Sequence, residues 1–311
     1  MAGRKQFTIE RQQIYRGHKG SVFGLEISAD EQWMYTSGDD GVVAAWDLRL
    51  AREEGKGLLK VPHAIYTLVT DQAGRFLMAG STDGTVYQLD LKTGKLLQQY
   101  RKWNHAVYGL KVDESRNRLL ILYAEGQLGV LQLDNFQEIG FQRIDEGHLR
   151  TCLIGPDSRQ YIFGTSNRHI VVMDAASGEI QRKWLAHDPS VFCLAMHQDG
   201  RYLLSGGRDA QIKVWDIKQD FRESKRIAAH MYTVNDLAIF QGGDFFASAS
   251  RDKTIKLWDA YAFDLQKVID HERNESHTHS VNRIKCLITD NSLISCSDDR
   301  MLMRWKVEVQ E

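Results

Sequence analysis

The chain has 311 residues, 42% of them hydrophobic and 26% charged, which are ordinary values for a globular protein. Its 40 basic and 41 acidic side chains nearly cancel, so neither nucleic acid nor an acidic lipid surface is favoured as a bulk partner. The opening MAGRKQFTIERQQ lacks a signal-type apolar core, and no stretch approaches the ~20 apolar residues of a spanning helix. The expectation is a cytoplasmic protein with no membrane partner.

In chain order, Phe7 to Tyr15 is a strand-like piece with no neighbour to pair with, running into Gly17-His18. A segment then starts at Val22 and recurs at Ile65, Val107, Leu149, Val191, Val234 and Val281, with spacings of 43, 42, 42, 42, 43 and 47 residues. Eighteen residues after each start lies a turn position, occupied by Asp40, Asp83, Glu125, Asn167, Asp209, Asp252 and Asp299. Six further on come Trp46, Leu89, Leu131, Met173, Trp215, Trp258 and Trp305. A period of about 40–45 residues is that of a propeller blade of four strands. Length alone suggests two domains, but stacked units share one apolar interior, so residues 1–311 read as a single seven-bladed all-β propeller.

The fifth unit shows the blade most clearly. Val191 to Met196 is an almost wholly apolar run, as for a strand buried on both faces, and His197-Gln-Asp-Gly200 supplies turn chemistry. Tyr202 to Ser205 is a second strand, and Gln211 to Trp215 alternates with period two. A weaker fourth strand lies near Ser224 to Ala228. No stretch keeps a 3.6-residue apolar period, so helix is expected to be minor. The last unit stops after three strands, at Trp305 to Glu311. Residues 7–16 are therefore expected to complete the seventh blade as its outer strand, since joining the ends removes an aggregation-prone edge.

Gly17-His18…Trp46-Asp47, Ala186-His187…Trp215-Asp216 and Ala229-His230…Trp258-Asp259, each with 28 residues from His to Trp, resemble WD40 repeats. The resemblance covers the whole chain. More narrowly, the chain is similar to compact bacterial WD40 proteins made of one bare propeller. The family resemblance implies a hydrogen-bonded set in each blade: a His before the first strand, a Ser or Thr in the second, an Asp in the next turn, and the Trp. Such linking satisfies a buried indole, hydroxyl and imidazole together. It assigns His230, Ser250, Asp252 and Trp258 to blade six, and His277, Ser297, Asp299 and Trp305 to blade seven. Blade one has His18, Asp40 and Trp46 and blade five His187, Asp209 and Trp215, with Gly38 and Gly207 where the hydroxyl is expected. Blades two, three and four lack the Trp, and their His63, His105 and His148 lie too near the first strand. These three are expected to be softer and held by apolar packing.

Each candidate for chemistry has a plainer reading. The recurring turn aspartates mark structure, because catalysis needs one asymmetric site. Cys152, Cys193, Cys286 and Cys296 sit in predicted strands without metal-type spacing or an activating base, as reduced core residues of a cytosolic protein do. His271, His277 and His279 raise a metal, but zinc draws four well-spaced ligands and the resemblance gives His277 a structural role. No phosphate-loop, dinucleotide or nucleophile-elbow motif occurs. No cofactor and no metal are expected.

Propellers of this family tend to bind through the face where the loops before the first strand and between second and third strands gather. Carried over, the position after each start holds Phe23, Tyr66, Tyr108, Arg150, Phe192, Asn235 and Asn282, and the residues before the turn acids include Arg208, Arg251 and Asp298. Aromatic and Arg side chains dominate binding hot spots. The reading is a non-catalytic platform that binds a peptide or protein loop on this face. Two other readings are a structural subunit using blade sides or the bottom face, and a metal-dependent or hydrolytic enzyme using the central channel.

Overall fold

The structure, a computed structural model, describes residues 6–240 and 242–310. Seven antiparallel sheets of four strands each make up the chain. In blade six the strands are Val234–Ile239, Phe245–Ser250, Ile255–Asp259 and Leu265–Ile269. The second strand is buried along its whole length, which its composition (Phe-Phe-Ala-Ser-Ala-Ser) permits only because its serines find partners. The outer strand of blade five, Arg222–Ala228, alternates exposed and half-buried residues, as one covered face requires. The core lies between blades: Cys193, Leu204 and Val214 of blade five pack with Phe246 and Trp258 of blade six. Helix is confined, among the described residues, to single turns such as His271–Asn274, capped by Asp270.

The strand Gln6–Arg16 pairs antiparallel with Met301–Gln310, from Gln6 opposite Gln310 to Arg16 opposite Met301, with a bulge between Arg11 and Gln13. It forms the outer strand of the seventh sheet, outside Ser292–Ser297 and Val281–Cys286. Phe7 stands edge-on to Phe245 at 4.9 Å, and Tyr15 edge-on to Trp46 at 5.7 Å. The strand thus reaches the cores of both neighbouring blades.

All four Trp-containing blades carry the complete polar set, and this corrects the expected hydroxyl. The partner of each Trp lies ten residues before it: Thr36, Ser205, Ser248 and Ser295, at 2.8, 2.8, 2.8 and 3.0 Å. The same oxygens stand 2.7–2.8 Å from Nε2 of His18, His187, His230 and His277. Their Nδ1 atoms face Asp40, Asp209, Asp252 and Asp299 at 2.8–3.0 Å. Ser250 and Ser297 are not members of these sets. They sit two residues along the same strand, and their hydroxyls accept from the N–H of Asp252 and Asp299. Gly207 is no deficit either, because a Cβ there would come within 2.3 Å of His187 Nδ1.

The blades without Trp at the repeat position use other means. Blade three packs Trp103 edge-on against Phe141 at 4.5 Å and Tyr123 at 5.2 Å. Blade four departs from the expected apolar packing. Its fully buried Asp145 carboxylate accepts from Thr165 Oγ1 at 2.7 Å, Lys183 Nζ at 2.8 Å and the Glu146 N–H, and pairs with His169 Nδ1 at 3.0 Å. Burial works to raise the Asp145 pKa, but the bonds from Lys183 and Thr165 outweigh it and hold it well below the usual range.

Candidate interaction surface at the channel mouth

In every blade the register between the first two strands shifts just after the first residue, as between Val107 and Gly109 or Val281 and Arg283. The second residue is the extra one of a β-bulge and leaves the ladder. That repeated bulge is what delivers Phe23, Tyr66, Tyr108, Arg150, Phe192, Asn235 and Asn282 to one cavity of about 320 Å³ at the mouth of the central channel.

Five of the seven form an arc across blades one to five. Phe23 meets Tyr66 edge-on at 5.1 Å, and Tyr66 stacks on Tyr108 at 5.6 Å with 11° between planes. The Arg150 guanidinium lies 4.5 Å over Tyr108 and 5.0 Å from the Phe192 ring centre, so it is held between two aromatic faces. Its Nε is buried without an acceptor, and burial lowers the Arg150 pKa. His148 lies against Tyr108 at 5.3 Å, its pKa lowered by burial and by Arg150.

The two asparagines do different work. Asn235 Nδ2 donates to Val281 O at 2.8 Å, tying blade six to seven, and Asn282 Nδ2 donates to Val22 O at 2.9 Å, tying seven to one. Asp298 accepts from the same Asn282 amide at 2.8 Å. Arg208 and Arg251 are exposed and do not line the cavity. Arg283 does line it, and sequence reasoning missed it because a regular strand would turn the third residue away from the second. Also missed were Met231 (81% exposed) and Tyr232 (61%), in the loop that places Thr233 O on the Arg251 N–H. Two large apolar residues directly after the loop His230 were the available signal.

The His271, His277 and His279 trio does not converge. His277 has both nitrogens engaged, His271 Nδ1 bonds Ser276 O at 2.7 Å, and His279 faces Thr278 Oγ1 at 2.9 Å. Among the described residues no three His, Cys, Asp or Glu side chains cluster as metal ligands. The four thiols are free, and burial raises them, Cys152 to about 12.

Residues 9–47, 178–216 and 221–259 match the family model described as WD domain, G-beta repeat. These stretches take in the first three strands of blades one, five and six, each with its complete His–hydroxyl–Asp–Trp set, together with outer-strand residues of the preceding blade. The chain is a WD40-repeat propeller. Among proteins similar to it are U3 small nucleolar RNA-associated protein 21 of Saccharomyces cerevisiae, 21% identical over 58% of this chain and 19% of that protein. Human striatin is 22% identical over 69% of this chain and 30% of striatin, and human striatin-4 is 20% identical over 67% and 30%. The WD40 propeller thus spans a third or less of the length of these relatives. They are yeast and mammalian proteins, and the narrower likeness to bacterial ones is not borne out. Among the described residues no helix is long and apolar enough to cross a membrane.

Proposed function

We propose that this WD40 propeller is a non-catalytic, cytoplasmic platform that binds a peptide or protein loop at the channel mouth. One observation carries the reading: Phe23, Tyr66, Tyr108 and Phe192, from four different blades, line a single partly exposed cavity together with Arg150. Aromatic rings offer large rigid area with little rotamer entropy to lose, and a guanidinium adds planar hydrogen bonding, the composition of binding hot spots. The similarity to a yeast protein named for its association with U3 small nucleolar RNA supports a role in association with other macromolecules. Capture of native partners on immobilised protein tests it. Tyr108→Ala is expected to cut capture several-fold at unchanged Tm, and undiminished capture would remove the mouth from the account. A second reading has its own support: Leu96, Leu97, Ile139 and Leu185 are exposed on the outer strands of blades two to four, where a larger assembly would bear on the blade sides.

A further inference from the structure

Below the mouth the channel opens into a cavity of about 420 Å³. The bulge in each first strand turns the third and fifth residues of the blades toward it, and charge there is not balanced. Lys111, Arg150, Arg283 and Lys285 line it, against Glu26 and Asp236. Lys285 pairs with Glu26 at 2.9 Å, and Arg283 sits 4.0 Å from Asp236, whose carboxylate is already bonded by the Ile284 N–H at 3.0 Å. Among the described residues the Lys111 side chain has no hydrogen bond or ion pair, and the Arg150 guanidinium has only aromatic faces. Two cations in excess, in one cavity also lined by Leu68, Leu110 and Leu237, leave an uncompensated positive potential there. Thr67 and Thr151 add hydroxyls to the same lining.

We infer that this channel cavity seats a small doubly charged oxyanion of the phosphate class, held by Lys111, Arg150 and Arg283. Its charge cancels the excess, and its oxygens accept from the Lys111 ammonium, the Arg150 and Arg283 guanidiniums and the threonine hydroxyls. The volume takes such an ion with several waters, each of which fills about 30 Å³. A monovalent halide leaves one positive charge uncompensated and the donors at different depths unmet. The inference does not rest on partner binding at the mouth, because the ion would bind the isolated propeller.

The test is calorimetric titration of the purified protein with inorganic phosphate at pH 7.5, with chloride replaced to hold ionic strength constant. Thermal unfolding is followed in the same buffers. One saturable site and a rising Tm are expected for phosphate, with sulfate behaving alike and chloride giving neither. Lys111→Gln is expected to weaken phosphate at least about tenfold, the usual loss with one charged hydrogen bond. Lys111→Gln is also expected to unfold at higher temperature than the parent when phosphate is absent, because it removes an unpaired cation. Lys111→Arg retains binding, and Lys306→Gln, on the third strand of the seventh blade and outside the cavity lining, leaves phosphate binding unchanged. Phosphate that acts no differently from chloride on the parent protein overturns the inference, whatever the variants do. So does a Lys111→Gln protein that binds as the parent does.

Discussion

Trp258 Nε1 donates to Ser248 Oγ at 2.8 Å. The Ser248 hydroxyl in turn faces His230 Nε2 at 2.7 Å, and His230 Nδ1 faces Asp252 at 2.9 Å. With a neutral imidazole every donor has one acceptor: indole to hydroxyl, hydroxyl to Nε2, Nδ1–H to carboxylate. Burial lowers the His230 pKa and so favours that neutral form, and the aspartate holds the tautomer. The set is therefore directional, and removing its middle strands both ends.

Ser248→Ala is expected to cost about 1–3 kcal/mol, because it leaves the Trp258 N–H and His230 Nε2 buried and unpaired. Ser250→Ala, two residues on, should cost about 0.5–1.5 kcal/mol, the loss of ordinary turn bonds. Urea unfolding of the two variants side by side checks the order. Reversal would restore Ser250 as the family hydroxyl.

Trp258→Ala removes a large ring packed at 6.1 Å on Phe246, and should cost about 3–5 kcal/mol. Full stability in that variant would be incompatible with the interblade core described here.

Removing the chain through Tyr15 exposes the edge of Met301–Gln310 and unburies Phe7 and Tyr15. At about 1.5–3 kcal/mol for each ring, the ring loses about 3–6 kcal/mol and gains an open edge. Thermal unfolding with light scattering should show a lower Tm and earlier aggregation. An unchanged Tm would mean that closure through this strand adds nothing.

Acid should weaken the fold in two steps. His230 has a folded pKa below its unfolded value of about 6.5, so unfolded chains bind the extra proton and stability falls as pH drops through that range. For Asp145, Asp252 and Asp299 burial raises the pKa, but hydrogen bonds dominated by Lys183, His230 and His277 respectively outweigh it and depress it. Their contribution is complete above an unfolded pKa of about 4 and is lost as pH falls toward the folded values. Tm from pH 8 to 3 should slope gently below about 6.5 and steeply below about 4. His230→Gln, although less stable throughout, should show a shallower first slope.

Much of this was readable from spacing alone. Seven starts, seven turn positions and the alternation of each third strand specify blade number, sheet order and the clasp between residues 7–16 and the last blade. The second-residue ring was readable too, because one offset repeats in every unit. The hydroxyl was misplaced by two because Ser248 and Ser250 share a strand face, and period two does not distinguish them. Arg283 stayed hidden because a bulge, invisible in a string of letters, brings consecutive residues to one channel. Asp145 stayed hidden because it stands four residues before its first strand, at the offset where His18, His187, His230 and His277 stand in other blades, so the position read as a missing histidine and not as a carboxylate.

Because Gln6 stands opposite Gln310 in the seventh sheet, the two ends of the described chain emerge side by side on the circumference. Whatever is tethered at either end hangs from the same point, leaving the rest of the perimeter and the channel mouth unobstructed. A circular permutant, its old ends bridged by a short linker and its new ones cut between any two blades, should trace the same wheel.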